Sequence, residues 1–295
     1  MIVNDTGLAL INKPSGITSF KALSGIKRAV GHGKVGHAGT LDKFAEGLLL
    51  VAVGKSTRLI SVLENLSKRY EGTIRFGTST TTLDPEGEIV GETAVPTLET
   101  IENTIPHFIG EIMQVPPAFS AVHVNGKRAY QRTLAGEAVE LQPRPVHIYS
   151  LNITSWEEPF LSIEVECSKG TYIRSLARDI GEYAGSSAYL TSLRRTAIGD
   201  FSVDDAVDPQ DFDPSRHLLT IREFIGFLPE VGICRVDEES AGKILNGVPF
   251  KSEWLSEEQQ KTLIALFDPQ EMFIGLVEWK GGEWKYRMVA EGGNR

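Results

Sequence analysis

The sequence has only two cysteines, Cys167 and Cys234, and neither belongs to a CxxC pair or a cysteine–histidine cluster. A structural zinc site and a redox disulfide therefore both lack their ligands, and two reduced, buried thiols in a cytoplasmic protein are expected. Long apolar runs are also missing. The longest, at residues 48–53, is far short of the roughly 20 residues that cross a bilayer, and the start MIVNDTGLALINKPSG has no basic leader segment, so no membrane partner is expected. A complete GxxxxGK[ST] phosphate loop, HExxH and GxSxG are likewise absent, which removes ATP hydrolysis, zinc peptidase and serine hydrolase chemistry. Any chemistry must run on ordinary side chains, without metal or cofactor.

Positive charge is scarce overall, with 30 Lys and Arg against 39 Asp and Glu for a net charge of −9, which argues at first against a nucleic-acid partner. Its distribution changes the reading. Residues 1–58 carry eight basic side chains and three acidic ones, whereas residues 201–250 carry four and ten. Between Asp5 and Asp42 there is no acid at all, while Lys13, Lys21, Lys27, Arg28 and Lys34 intervene with His32 and His37 among them. Asp42 is thus a lone carboxylate closing a basic stretch.

Periodicity predicts a strand at residues 8–12, then a helix to about Val30 capped by Thr18 or Ser19. A Gly-rich loop follows over residues 31–47, then a buried strand and a helix from about Ser56, whose hydroxyl is placed to cap it. Alternating Tyr70, Gly72, Ile74 and Phe76 predict a strand, and DPEG a turn. Leu98, Ile101, Ile105 and Phe108 fall on one helix face, and Asn125-Gly126 suits a hairpin turn before a short helix to Leu134. Leu161 to Cys167 alternate as a strand. Ile173, Leu176, Ala177 and Ile180 make a helix with Arg174 and Arg178 turned outward, and LTSLRRTAI returns as a strand. Without βαβ alternation, the fold class expected is α+β with a mainly antiparallel sheet and flanking helices. The acidic, Pro-bearing stretch after residue 202 suggests a break, giving a catalytic body at residues 1–230 and a small, mostly β domain at 231–295.

GHGKVG at residues 31–36 fits the dinucleotide pattern GxGxxG, but it follows a helix instead of a strand, and no acid lies between Glu46 and Glu64 to hold a ribose. Asp42, on a glycine-flanked loop between basic residues and a buried strand, is the better candidate for chemistry. Taken alone, an aspartate in such a loop is more often a turn or capping residue.

The segment GHAGTLDKFAEGLLLVAVGKSTR resembles the catalytic motif of the TruB family of tRNA pseudouridine synthases. KPSGITS, KRYEGTIRFGTSTTTLDPEG, VPPAFSAVHVNGKRAY, GTYIRSLARDIG and LRRTAIGDF extend that resemblance, in family order, over roughly the first 200 residues. Two positions depart from the family pattern: Lys43 stands where proline is usual after the aspartate, and Ala38 where GHTG has threonine. The resemblance implies a pseudouridine synthase fold with a PUA-like RNA-binding tail. It implies isomerisation of uridine 55 in the T loop of tRNA by base flipping, with no cofactor, no guide RNA and a monomeric enzyme.

By the same resemblance, Asp42 is the essential carboxylate, Arg174 its ion-pair partner and Tyr70 the aromatic that stacks on the uracil. Tyr172 and Leu193 line the base pocket, His37 supports the displaced nucleotide, and Lys13 and Pro14 form the Lys-Pro motif. Lys13, Lys34, Lys127, Arg128, Arg194 and Arg195 are expected as charges that position the RNA, and Arg178 as structural. A tRNA-folding factor that acts by binding alone is the competing expectation.

Overall fold

The computed structural model describes residues 6–31, 33–120, 141–255 and 261–290, with the backbone of two short strands at 123–124 and 127–128. Its spine is a ten-stranded sheet. Along the main path the order is Leu218–Leu219, Gly7–Lys13, Glu46–Val53, Ala188–Ile198, Lys68–Phe76, Phe160–Cys167, Arg144–Glu157 and Gly110–Gln114. Every named pairing in it is antiparallel except one. Glu46–Val53 meets Ala188–Ile198 in parallel through Arg194 opposite Glu46 and Arg195 opposite Gly47. Gly47 is required there, because it has a φ of 101° and a Cβ would stand 2.3 Å from the Arg195 carbonyl oxygen.

The alternating strand Lys68–Phe76 buries Tyr70, Ile74 and Phe76 on one face, where they meet Leu161, Ile163 and Val165 and the helix Ile173–Tyr183. By contrast Glu46–Val53 is buried on both faces, which is why it reads as an unbroken apolar run. On one side Leu49, Val51 and Val53 pack against the helix Ser19–Val30 through Ala22, Leu23, Ile26 and Val30. That helix starts at Thr18, whose hydroxyl accepts from Lys21 N at 3.1 Å, and ends at Gly31 with a φ of 77°. On the other side Leu48, Leu50 and Ala52 join a core that includes Phe224, Leu228, Val231, Leu263, Ala265, Phe267, Leu276 and Met288.

The last six of those residues belong to a second, four-stranded sheet in the order Val231–Arg235, Leu263–Phe267, Phe273–Lys280, Glu283–Val289. The second sheet and the first thus share one hydrophobic core. Among the described residues, no helix is long and apolar enough to cross a membrane.

Several local expectations change. Residues 35–38 are not loop: Val35–Ala38 is a strand paired with Leu50 to Val53 of the strand Glu46–Val53. Ser56 caps nothing. The chain turns helical at Gly54 as a 3-10 segment to Leu59 before the α-turn Ile60–Leu63, and Ser56 lies buried inside it with no described partner for its Oγ. The helix Leu98–Thr104 tightens to a 3-10 turn at Ile105–Phe108, where Pro106 has no N–H to continue the α ladder. The Asn125-Gly126 turn and the helix to Leu134 lie outside the described residues, as do the side chains of Lys127 and Arg128.

Candidate active site

Three segments converge on one face of the sheet: the loop from Gly39 to Ala45, the strand pair Lys68–Phe76 and Ala188–Ile198, and the first turn of the helix Ile173–Tyr183. They enclose a cavity of about 620 Å³ lined by Asp42, Tyr70, Tyr172, Arg174 and Leu193, together with Lys68, Phe119, Ser120 and Arg195. Its size suits a nucleoside.

The Asp42 loop is fastened from below. Ser19 Oγ accepts from Leu41 N at 2.9 Å and donates to Leu41 O at 3.0 Å. Ser15 Oγ donates to Phe44 O at 2.7 Å, and Gly16 N to Lys43 O at 2.8 Å. Lys13 completes the set. It is 0% exposed, and its Nζ donates to Ile17 O at 2.7 Å and Pro14 O at 2.9 Å, with Lys43 O at 3.5 Å. This corrects the expectation of an RNA-facing charge: carbonyl oxygens of the turn take its donors, and burial brings its pKa down to about 8. Pro14 sits exposed on that turn, outside the cavity lining.

Asp42 opens to the cavity on one side only, leaving its side chain 37% exposed. Arg174 grips it: Nη2 donates to Oδ1 at 3.0 Å, and Nε lies 2.9 Å from Oδ2 at ion-pair distance but without hydrogen-bond alignment. Burial pushes the Asp42 carboxyl above the usual range. The Arg174 charge opposes this, and the nearby Asp84 charge reinforces it. Arg174 itself is 4% exposed, so the expectation that it points outward fails. It stands in the first turn of its helix, where a side chain directed back past the helix start reaches the cavity instead of solvent. Arg178, four residues on, does face partly outward, pairing with Asp179 and donating to Val115 O at 3.0 Å.

Sequence reasoning missed Asp84. Its Oδ2 accepts from Arg174 Nη1 at 3.0 Å, and its Oδ1 accepts from Thr82 Oγ1 and from Glu86 N at 3.0 Å. DPEG gave only a turn signal. The preceding Leu83 adopts a φ of 61°, a conformation disfavoured for a branched side chain, and so delivers Asp84 inward. Also unforeseen was Gln114, whose amide clasps the Tyr172 backbone by accepting from its N at 2.8 Å and donating to its O at 3.1 Å. Lys68 was missed too. Its Nζ donates to Glu64 O at 2.5 Å and Leu66 O at 2.6 Å, and burial lowers its pKa to about 8.

Burial also raises the phenols of Tyr70 and Tyr172, with Arg195 opposing the shift at Tyr70. Arg195 is the second cation expected to face RNA that the structure buries. Arg194 remains part-exposed, 3.2 Å from Glu46. His37 lies on Val35–Ala38, outside the cavity lining; its Nδ1 is buried with no described partner, and burial lowers its pKa. Lys43, the unusual neighbour of Asp42, forms an exposed ion pair with Glu86 at 2.6 Å, linking the Asp42 loop to the Asp84 turn. No group of three or more His, Cys, Asp or Glu suited to a metal occurs among the described residues.

Residues 27–173 match the model of the TruB family pseudouridylate synthase N-terminal domain, and residues 174–220 that of the tRNA pseudouridylate synthase B C-terminal domain. A tRNA pseudouridine synthase B from Prochlorococcus marinus is 38% identical over 291 residues, covering 92% of this chain and 93% of its own. One from Corynebacterium diphtheriae is 39% identical over 287 residues, covering 94% and 93%. The chain belongs to the TruB family. The solved structure of a Cbf5-Nop10-Gar1 complex contains a chain with the same fold, at a TM-score of 0.71 and 21% identity over 97% of this chain and 84% of that one. The α+β pseudouridine synthase fold expected from the sequence is therefore the observed one. The TruB motifs converge on the cavity that holds Asp42, Tyr70 and Arg174.

Proposed function

We propose that this TruB protein isomerises uridine 55 in the T loop of tRNA to pseudouridine, with Asp42 as the essential carboxylate. The activity is that of its curated TruB relatives, 37–46% identical over most of the chain. The observation that carries the assignment of residues is the Asp42–Arg174 ion pair on the wall of a nucleoside-sized cavity, with Tyr70 and Leu193 beside it.

Isomerisation breaks the bond from N1 to C1′, turns the freed uracil and joins C5 to C1′. The C5 proton is lost and N1 gains one, so no redox partner and no outside atom is needed. Asp42 supplies a carboxylate at the reacting ribose or base, and Arg174 favours its ionised form against the burial that a bound base increases. Tyr70 and Leu193 offer the uracil an aromatic and an aliphatic wall. A stacked uridine cannot reach this cavity, so the nucleotide is extruded from the loop at a cost of a few kcal/mol, offset by stacking and backbone contacts. His37 is assigned to support the displaced strand, Tyr172 to line the base pocket, and the Lys13–Pro14 turn to hold the Asp42 loop in place. Recognition is direct, by a cytoplasmic monomer without a guide RNA, and the small C-terminal unit from residue 231 packs into the core of the body.

The test uses an unmodified tRNA transcript with wild-type protein and Asp42→Asn, mapping pseudouridine by chemical adducts and reverse-transcription stops while tRNA binding is measured in parallel. A T-loop stop with wild type that disappears in Asp42→Asn, binding retained, is expected. Tight binding without any stop would instead favour a tRNA-folding factor.

A further inference from the structure

Among the described residues Arg195, 1% exposed, is the largest fully buried side chain, and no carboxylate there forms an ion pair with it. Two of its hydrogen-bond partners are backbone carbonyls. Nε donates to Leu48 O at 2.7 Å and Nη2 to Gly39 O at 3.0 Å. Its positive charge disfavours the protonated forms of Lys13, His37 and Lys68, as expected of a cation that no acid neutralises. Burying such a guanidinium is costly, and a purely structural link between two carbonyls does not require a charge.

Arg195 stands directly opposite Tyr70 across the antiparallel pair of Ala188–Ile198 and Lys68–Phe76, and both line the cavity. Cross-strand neighbours on one face are close enough for the guanidinium to meet the phenol. Gly39, whose carbonyl it holds, lies three residues before Asp42 on the same loop. One side chain thus touches the backbone under Asp42 and the strand that presents Tyr70.

We propose that Arg195 is a positioning residue for the isomerisation, fixing Tyr70 and the Asp42 loop relative to each other and presenting the Tyr70 hydroxyl to the base. A guanidinium only donates. The phenol oxygen beside it therefore serves as acceptor, and the phenol's own proton is turned toward the cavity. The same charge supports the phenolate if Tyr70 exchanges a proton with the uracil. The proposal rests on the reading that Tyr70 faces the base.

The experiment is single-turnover pseudouridine formation on an unmodified tRNA transcript, with tRNA binding, for Tyr70→Phe, Arg195→Lys, Arg195→Gln and both double variants. Arg195→Gln keeps N–H donors for the two carbonyls while removing the charge, so it covers the case in which Arg195→Lys fails to fold. Each Arg195 variant is expected to slow the reaction at least about tenfold, with tRNA affinity held. Once Tyr70 is Phe, each is expected to slow the reaction by less than it does beside an intact Tyr70, the remaining loss being that of the Asp42 loop held through Gly39. A wild-type rate in the Arg195 variants, or losses that multiply in full in the double variants, would overturn the proposal. A wild-type rate for Tyr70→Phe alone would remove the reading of Tyr70 on which it rests, and is recognisable as such because Arg195 is then intact.

Discussion

Asp42 and Asp84 share one guanidinium, with Arg174 Nη2 3.0 Å from Asp42 Oδ1 and Nη1 3.0 Å from Asp84 Oδ2. The cation is buried and the two carboxylates are not equivalent, since Asp84 is enclosed and Asp42 faces the cavity. Asp84 orients the guanidinium, leaving its Nε–Nη2 edge for Asp42. Asp84→Ala removes an acceptor from a buried charge, and a loss of about 3–5 kcal/mol in stability is expected by chemical denaturation. Asp84→Asn keeps the shape, so a smaller loss is expected, with slower turnover and tRNA binding retained.

Activity should fall on the acid side at a pH above the ordinary carboxylate range. Burial raises the Asp42 pKa, so the carboxylate form needed for catalysis is lost as pH falls through that raised value. The Asp84 charge is one of the causes of the rise, so Asp84→Asn should move the acid limb down. Arg174→Lys should move it up, because an ammonium cannot reproduce the two-point grip. Single-turnover rates across pH read both shifts.

Lys13→Met takes the Nζ donor from the Pro14 and Ile17 carbonyl oxygens and leaves Lys43 O with Gly16 N alone. Stability should fall by about 1–3 kcal/mol in thermal or chemical denaturation, and turnover should drop. Binding of tRNA should change little, because Nζ faces the protein and not the cavity. A tRNA affinity that fell as far as turnover would instead place Lys13 on the RNA.

Truncation after residue 230 should not yield a folded catalytic body. It strips Val231, Leu263, Phe267, Leu276 and Met288 from the core that encloses Leu48 and Leu50. At roughly 1.5–3 kcal/mol for each large side chain, the loss rivals the about 5–15 kcal/mol that holds a domain together. Soluble yield and a cooperative thermal transition for residues 1–230 are the measurements, and a well-folded fragment would count against a shared core.

Local signals in the sequence were enough for much of this molecule. The alternation of Tyr70, Gly72, Ile74 and Phe76 and the Thr18 cap belong to short stretches of chain, and the structure has both. What a side chain meets across the fold was not legible. Lys13 and Arg195 read as RNA contacts, and Arg174 by its helix spacing as an outward charge although the family resemblance paired it with Asp42, because a cation's destination depends on which carbonyls and carboxylates distant segments bring to it. Asp84 was hidden by its own turn: DPEG looks the same whether the aspartate ends in water or on Arg174. In the tail, LIALF is apolar at every position, which says that both faces are covered but not that the body covers one of them.

The fastening of the Asp42 loop by Ser15, Gly16, Ser19, Lys13 and Arg195 assigns motion in this reaction to one partner. With its backbone bonded at residues 39, 41, 43 and 44, the aspartate has few alternative poses to give up when a nucleotide arrives, so its ordering is completed during folding. The flexible component is then the RNA. Differences in rate among tRNAs should follow how readily each T loop releases its uridine, while the protein behaves as a fixed mould.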